Sequence, residues 1–189
     1  MKKIIITGVN GVGKSHFAAQ LALARPEIPV ISFDTIKLQT GWHQRPRSEI
    51  EVSLAGELEK EAWILEGGPS LLRQAIRKAD ALVWLDPPEH LRAWRLAMRP
   101  WKHLGKTRPE LPAGNVDWPW QQYKFALRSL KNRPKSRVYI SDVFRNADRV
   151  QKWRCRSNSD RIAVIAEWVT TDSLGNTLDT NQPFAERTR

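Results

Sequence analysis

A glycine-rich segment near the beginning of the chain constrains the fold more than any other feature. It fits the pattern G-x-x-x-x-G-K-[S/T] and consists of Gly8, Val9, Asn10, Gly11, Val12, Gly13, Lys14 and Ser15. The apolar run Lys3–Thr7 precedes it, and a helical pattern over Lys14–Ala24 follows it. A buried strand that leads through such a turn into a helix surrounds a phosphate group with backbone N–H groups and with the positive end of the helix dipole.

Each polar residue of this phosphate loop has a chemical role in the prediction. The Lys14 ammonium reaches the β- and γ-phosphates of a nucleoside triphosphate, taken to be ATP, and the Ser15 hydroxyl binds Mg²⁺. His16, the next residue, is included among the nucleotide contacts. The structural alternative is a glycine-rich turn with an incidental lysine.

The rest of the chain predicts an α/β fold. Short apolar runs alternate with helical patterns, which is typical of a parallel sheet covered by helices. The predicted strands are Lys3–Thr7, Val30–Ser32, Trp63–Leu65, Ala81–Leu85 and Lys152–Cys155. We therefore expect a P-loop NTPase three-layer sandwich with about five parallel strands.

Helix signals are clear in some places and ambiguous in others. Ser48 and Glu51 fit a capping box, a helix follows Pro88 to about Met98, and Ser159 or Asp160 is expected to cap the last helix. Residues 118–131 predict a basic helix. Residues 134–146 predict a further helix, with a strand at 138–140 as the alternative.

Two segments lack a regular pattern. Residues 99–117 contain three prolines and two glycines among basic residues, and a loop of this length is usually functional, so it is predicted to be a mobile basic lid. From Thr170 onward the chain is polar and aperiodic. We expect a kinase-like domain over residues 1–169 and a polar tail over 170–189.

Three acidic residues are predicted to meet near the phosphate loop. Asp34, Glu66 and Asp86 each follow a predicted strand, and the carboxyl ends of parallel strands line one crevice. Ser15, Glu66 and Asp86 are the predicted metal ligands, because phosphoryl transfer needs groups that hold Mg²⁺. The alternative role for each acid is that of a helix N-cap.

Arginines are predicted to gather the charge of the moving phosphoryl group. Arg92, Arg95 and Arg99 recur at helical spacing, and Arg108 lies in the predicted lid. With Lys14 and Asp34, the predicted catalytic residues are Arg95, Arg99 and Arg108. A solvated basic helix face is the alternative.

Several stretches together resemble the bacterial family called DNA topology modulation proteins, which is related to adenylate kinase. They are the phosphate loop with Asp34, the Glu66-Gly67 turn, Trp84–Pro88 and Gly105–Pro112, and the resemblance spans roughly residues 3–168. It implies a P-loop kinase core, ATP with Mg²⁺ and a mobile lid. The sequence departs from the expected Asp-Gly-Asn-Tyr turn, because Glu66-Gly67-Gly68-Pro69 stands there.

The acceptor is expected between Asp34 and about Glu61, as in related small kinases. Trp42 is placed to stack on a base or sugar, Arg45 and Arg47 to hold an acceptor phosphate, and Glu66 with Gly67 to complete this site. Asp34 is predicted to orient or deprotonate the acceptor hydroxyl, or to help hold the metal through water. These contacts favour a nucleotide or nucleoside acceptor, and a surface loop anchored by Trp42 is the alternative.

The charge distribution supports a second hypothesis. The formal net charge is +11, and residues 91–160 hold 17 basic against 5 acidic residues. Tryptophans interleaved with these basic residues can stack on single-stranded bases. A nucleotide-gated DNA- or RNA-binding regulator is therefore the alternative function, and a simple ATPase that lacks an acceptor is a third. Trp63 and Trp84 lie in apolar strands and are predicted to be core residues.

The remaining features concern the cysteine content, membrane segments and the oligomeric state. Cys155 is the single cysteine, is predicted to be inert in a short strand, and fits a reducing cytoplasm. No apolar run approaches the roughly 20 residues that cross a bilayer, so no membrane partner is expected. The sequence leaves the oligomeric state open.

Overall fold

The computed structural model describes residues 1–102 and 119–176. The strands are β1 Lys3–Thr7, β2 Val30–Ser32, β3 Trp63–Gly67, β4 Ala81–Leu85 and β5 Gln151–Cys155. The α-helices are α1 Lys14–Ala24, α2 Phe33–Lys37, α3 Arg47–Leu58, α4 Leu72–Ala75, α5 Glu89–Lys102, α6 Pro119–Asn146 and α7 Asn158–Asn176. Short 3-10 turns occupy Thr40–Trp42, Pro69–Leu71 and Ile76–Lys78. Over the described ranges, no helix has the length and apolarity that a membrane span requires.

All five strands belong to one parallel sheet in the order β2-β3-β1-β4-β5. The predicted α/β class and the five parallel strands are confirmed. The register places Thr7 opposite Gly67 and Ser32 opposite Glu66. Because the strands run in the same direction, the segments that leave β1, β2 and β3 meet at one edge of the sheet, with the phosphate loop in the middle.

Alternating side chains of β1 divide the core between the two faces of the sheet. Ile4 and Ile6 pack with Phe17 of α1 and Trp168 of α7, and all four are fully buried. On the opposite face, Ile5 belongs to a cluster contributed by α3, α4, α6 and the neighbouring strands. Trp63 and Trp84 lie in this second cluster at 0% and 3% exposure, so their predicted core role is confirmed.

The two helices predicted on either side of Pro134 are one continuous helix, α6. Val138–Ile140 are helical, so the strand alternative is wrong. Ile140, Val143, Phe144 and Ala147 recur at helical spacing and face the core, which fixes the segment as a helix. Pro134 removes only the backbone hydrogen bond to the carbonyl of the partly exposed Leu130.

Two predicted helix caps need correction. Helix α3 begins after Pro46 without a side-chain cap, because the Glu51 carboxylate accepts from Arg47 at 2.8 Å instead of closing the capping box. Helix α7 is capped by Ser157, not by Ser159. The Ser157 hydroxyl accepts from the Asp160 N–H at 3.2 Å, and the Asp160 carboxylate accepts from the Ser157 N–H at 2.9 Å, which closes a reciprocal cap.

Two helices extend into segments for which the sequence predicts no regular structure. Helix α5 continues through residues 99–102, where the lid was expected to begin, and α7 continues from Thr170 to Asn176. The remainder of the predicted lid, including Arg108, and residues 177–189 of the predicted tail lie outside the described residues.

Candidate active site at the carboxyl edge of the sheet

The backbone of the phosphate loop is shaped by three glycines with left-handed φ angles. Gly8, Gly11 and Gly13 have φ of 152°, 85° and 90°. A Cβ on Gly8 would lie 2.6 Å from the Leu85 carbonyl oxygen, and one on Gly11 would lie 2.7 Å from Leu96. Larger residues are excluded at both positions on conformational and steric grounds, which explains the fixed glycine of the motif at Gly8 and the additional glycine at Gly11.

Helix α1 starts directly from this loop. Gly13 is its N-cap and has no side chain, so no side-chain cap covers the first N–H groups of the helix. The Lys14 ammonium reaches back over the loop and donates to the Val9 carbonyl oxygen at 3.4 Å. The loop therefore presents backbone donors and an ammonium group from the same side, which suits an anion.

A carboxylate lies on the β3 side of the loop. Glu66, 4% exposed near the end of β3, accepts from the Ser32 hydroxyl at 2.9 Å and from the Ser15 hydroxyl at 3.3 Å. Burial raises the pKa of the Glu66 carboxyl, and the nearby Asp34 adds to this, whereas Lys14 and the two hydroxyl groups act in the opposite direction. The predicted convergence of Ser15 with Glu66 is thus present in the structure.

Ser32 was missed by the sequence analysis. It ends β2 and stands opposite Glu66 in the parallel register, so strand pairing was the signal that could have identified it. With Ser15 and Glu66 it forms a group of oxygen donors beside the phosphate loop. Mg²⁺ is usually held by one or two carboxylates together with phosphate oxygens and water, and this donor set fits that preference.

The third predicted metal ligand has different contacts. The Asp86 carboxylate, 8% exposed, accepts from Arg137 at 2.9 Å and from the Arg154 Nε at 3.0 Å. Its described contacts join it to these two guanidinium groups and not to Ser15 or Glu66. Both arginines were absent from the predicted site, because nothing in the local sequence links α6 and β5 to the end of β4.

The arginines of α5 approach the loop differently from one another. Arg92 is 1% exposed, pairs with Glu89 at 2.8 Å and donates to the Asn10 carbonyl oxygen at 3.1 Å. Arg95, one turn later, donates to the Val12 carbonyl oxygen at 3.1 Å. The Arg99 side chain, like Arg108, lies outside the described residues.

A further arginine at the loop was not predicted. Arg161 of α7 donates to the same Val12 carbonyl oxygen at 2.9 Å, so two guanidinium groups meet beside Gly13. Burial, followed by the positive charge of Arg95, lowers the pKa of Arg161. In the described part of the chain neither guanidinium has a carboxylate partner. This pair of cations forms a site of unbalanced positive charge next to the phosphate loop.

Helix α6 adds polar side chains on another side of the loop. Arg128, Ser129 and Asn132 line a cleft of about 180 Å³ together with Val9 and Asn10 of the loop, and Pro69 and Ser136 complete its lining. None of these α6 residues was predicted to lie at the phosphate loop. The helical spacing of positions 128, 129 and 132 is compatible with one face, but the sequence does not show which face meets the loop.

The segment predicted to bind the acceptor forms a short hairpin. Leu38 and Gln44 are bridged in antiparallel fashion, and the Gln39 N–H donates to the His43 carbonyl at 2.7 Å. At the tip, Gly41 and Trp42 have φ of 73° and 63°, and the second value is unusual for a bulky residue. Strained backbone of this kind is more frequent at functional sites than elsewhere.

The candidate acceptor contacts differ in their surroundings. Asp34 is exposed in the first turn of α2. The Arg45 Nε is shielded from solvent and has no hydrogen-bond partner among the described residues. Arg47 is exposed and forms an i,i+4 ion pair with Glu51. Gly67 packs closely against Phe33 and Leu71: a Cβ added to Gly67 would lie 2.6 Å from Phe33 and 2.5 Å from Leu71. Gly67 can therefore contribute only backbone groups to the site.

An open groove of about 1060 Å³ runs from this site along the edge strand β2. Ser15, Ser32 and Glu66 line its polar end, and the exposed His16 lies beside them. Its remaining lining is mainly apolar and comes from α1, β2 and α2. The groove is therefore large enough for a small molecule, and its polar end contains the oxygen atoms of Ser15, Ser32 and Glu66.

Comparisons with known proteins support the fold. No protein-family model matches the chain, and no curated protein matches it. YorR from Bacillus subtilis, solved in complex with phosphorylated GDP, is similar with a TM-score of 0.53 and 15% identity over 92% of this chain and 98% of that chain. Shikimate kinase from Acinetobacter baumannii in complex with shikimate gives 0.49 and 16% over 94% and 96%. A gluconokinase from Sinorhizobium meliloti gives 0.46 and 17% over 92% and 97%.

The likeness to YorR confirms the predicted α/β phosphate-loop fold. At this level of identity it extends to the fold alone. The resemblance to DNA topology modulation proteins stays a prediction, because no protein-family model and no curated protein matches the chain.

Proposed function

We propose that the protein is an ATP- and Mg²⁺-dependent kinase that transfers a phosphoryl group to a small acceptor, most simply a nucleotide or nucleoside. The observation that carries the proposal is the arrangement around the phosphate loop. Backbone donors, Lys14 and the unbalanced guanidinium pair of Arg95 and Arg161 converge on one side, and the buried Glu66 stands with two hydroxyl groups on the other. A bound polyanion balances the positive charge on the first side, and a cation held by that polyanion balances the carboxylate on the second side.

The donor half of the site binds the triphosphate in this proposal. The loop amides and Lys14 hold its β- and γ-phosphates, and Arg95 and Arg161 neutralise the charge that develops on the transferred group. Arg99 and Arg108 are proposed to assist them. Ser15 and Glu66 hold Mg²⁺, which neutralises phosphate charge and orients the triphosphate when bound.

The acceptor half extends from Asp34 to the Gly41–Arg47 segment. Trp42 offers an aromatic surface for a base or sugar, and the unpartnered Arg45 Nε offers a donor for an anionic group. The exposed Asp34 carboxylate lies near Glu66, since its charge affects the pKa of that group. These features favour an acceptor that carries a ring, a hydroxyl group and a negative charge.

The proposed step is an in-line displacement. The acceptor oxygen forms a bond to the γ-phosphorus, the bond between this phosphorus and the β–γ bridging oxygen breaks, and ADP leaves with the electron pair. Asp34 accepts the proton from the acceptor hydroxyl and releases it to solvent. Lys14 and the two arginines remain in contact with the phosphate oxygens as the charge moves from the γ- to the β-phosphate.

The test is a phosphoryl-transfer assay against nucleosides, nucleoside monophosphates and small hydroxylated metabolites, including sugars. The Lys14→Ala variant should lose transfer to any acceptor that the unchanged protein phosphorylates. Lys78→Ala, which removes an exposed ammonium paired with Glu59, is the matched control and should keep full activity. An equal rate in Lys14→Ala and the unchanged protein would contradict the proposal.

A nucleotide-gated nucleic-acid regulator is the second candidate, and it is favoured by one observation. Lys124, Arg128 and Lys131 are exposed on α6 and recur at helical spacing. A regulator should bind single-stranded or duplex DNA in a salt-sensitive manner and lose affinity when Lys124 and Lys131 are changed to alanine. A kinase should bind DNA little at physiological salt.

A further inference from the structure

A second basic cavity has a lining that includes no residue of the phosphate loop. We call it the arginine pocket; it has a volume of about 420 Å³ and is lined by Trp84, Arg133, Pro134, Arg137, Val138, Ser141, Arg145 and Arg154. It lies between α6 and the carboxyl ends of β4 and β5, on the face of the sheet that carries α6. Helix α1 packs on the opposite face, so the pocket is separate from the groove that leads to Ser15.

The carboxylates around the arginine pocket do not balance its guanidinium groups. Arg137 and Arg154 share Asp86, and Arg133 shares Glu89 with the buried Arg92. Arg145 is 73% exposed, and its nearest carboxylate is the exposed Asp142 at 3.7 Å. In this part of the described structure, five guanidinium groups meet three carboxylates. One of the five, the buried Arg92, does not line the pocket, so the excess there is about one to two positive charges, close to the charge of a phosphate monoester near neutral pH.

The side chains that line the arginine pocket also fit a phosphate group that is esterified to an organic group. Guanidinium groups donate in a planar fork that matches phosphate oxygens, and the Ser141 hydroxyl supplies a further donor. Pro134 and Val138 give the pocket an apolar side. The Arg154 guanidinium lies over the Trp84 ring, 4.2 Å from its centre, and this contact holds the arginine in place while its charge still faces the pocket.

We propose that the arginine pocket binds a small organic phosphate at a site distinct from the phosphate loop. The buried Asp86, expected from the sequence to be a metal ligand, then has a different role, because it fixes Arg137 and Arg154 at the floor of this pocket. Trp84 is 3% exposed and therefore offers no ring face for a nucleic-acid base. This favours a small phosphate over a nucleic-acid strand as the ligand.

Calorimetric titration of the full chain with phenyl phosphate tests the proposal. We expect one equivalent to bind, and we expect Arg145→Ser to weaken binding about tenfold through loss of a charge-assisted hydrogen bond. Arg73→Ser, which removes an exposed arginine from α4, is the charge-matched control and should bind as the unchanged protein does. Lys14→Ala disables the phosphate loop and should leave this binding intact, whether or not the protein proves to be a kinase.

Four outcomes would overturn the proposal. The first is an absence of binding up to about 10 mM. The second is equal weakening in Arg145→Ser and Arg73→Ser, which would indicate diffuse attraction to a basic surface. The third is loss of binding in Lys14→Ala, which would assign the phosphate to the loop, and the fourth is displacement of phenyl phosphate by a tighter-binding single-stranded oligonucleotide, which would assign the pocket to a nucleic-acid backbone.

Discussion

Two carbonyl groups of the phosphate loop accept hydrogen bonds from arginines, and the two places differ in how the arginine charge is balanced. At Asn10, the buried Arg92 also pairs with Glu89, and it donates to the Ser129 hydroxyl at 3.4 Å. At Val12, Arg95 and Arg161 donate to a single oxygen, and the described residues supply neither with a carboxylate.

The difference separates an arginine whose charge is balanced within the fold, Arg92, from two arginines whose charge is not balanced there, Arg95 and Arg161. A buried cation with a counter-ion and hydrogen bonds is satisfied within the fold, and its removal leaves its partners unpaired. Two cations on one neutral carbonyl group repel each other; burial is the larger cause of the lowered pKa of Arg161, and the positive charge of Arg95 adds to it. That arrangement is unfavourable in the free protein and becomes favourable when a polyanion binds between them.

Glu66 resembles Arg95 and Arg161, because its charge is also incompletely balanced within the fold. Its hydrogen-bond partners are two hydroxyl groups, burial raises its pKa, and the nearby positive charge of Lys14 offsets that effect only in part. The loop is therefore held on the α5 side by Arg92 and lies between two groups with incomplete charge compensation. We expect substitutions of the balanced Arg92 to affect stability and substitutions of the incompletely balanced groups to affect activity.

The largest effect is expected for Arg92→Met, and it concerns stability. The substitution removes the hydrogen bond to Asn10 and the ion pair with Glu89, so the free energy of unfolding should fall by about 3 kcal/mol. In a chain of this size the melting temperature should then fall by about 6–12 °C. Thermal unfolding with and without ATP analogue measures this. A melting temperature within about 1 °C of the unchanged protein would show that Arg92 is dispensable for the fold.

Arg161→Gln should show the opposite pattern. It relieves the repulsion with Arg95, so the melting temperature of the ligand-free protein should stay the same or rise. Loss of a donor that acts on the developing charge should lower kcat/KM for phosphoryl transfer about 100-fold. Arg156→Gln, a change at an exposed arginine near the start of the same helix, is the control. Reduced stability with unchanged kcat/KM would place Arg161 in the same class as Arg92.

Arg161 also illustrates which parts of the site the sequence can predict. The phosphate loop, β1 and α1 are contiguous in the chain, so motif and periodicity fix them with the observed bounds. Arg161 lies 149 positions from the Val12 carbonyl that it contacts, and only the packing of α7 against α1 brings the two together. Local patterns carry no information on such a contact.

The acidic residues show the same limit. The rule that parallel strand ends converge correctly brought Glu66 to Ser15, because β3 is the neighbour of β1. The same rule also suggested Asp86, but arginines of α6 and β5 surround that carboxylate. Strand order predicts which ends are close, whereas the side chains that meet there depend on helices whose packing faces are not evident from sequence.

Glu66→Gln should sharpen the distinction on the acidic side. The amide keeps hydrogen bonds with Ser15 and Ser32 and removes a buried charge, so the ligand-free protein should be as stable or more stable. The Mg²⁺ concentration that gives half-maximal phosphoryl transfer should rise about 10- to 100-fold. Glu57→Gln, a change at another carboxylate that lines the same groove, is the control. An unchanged Mg²⁺ requirement would remove Glu66 from the proposed metal site.

The smallest effect is expected at the acceptor segment, where Arg45 and Arg47 repeat the same contrast. Arg47 already pairs with Glu51, whereas the buried Arg45 Nε has no partner among the described residues. Arg45→Ala should raise KM for an anionic acceptor about tenfold with little change in kcat, because it removes a charge-assisted hydrogen bond to the bound acceptor. Arg47→Ala should leave both constants within about twofold, as expected for an exposed ion pair. The reverse ranking would mean that the ion pair with Glu51 opens when the acceptor binds, and that an existing partner does not predict a structural role in this segment.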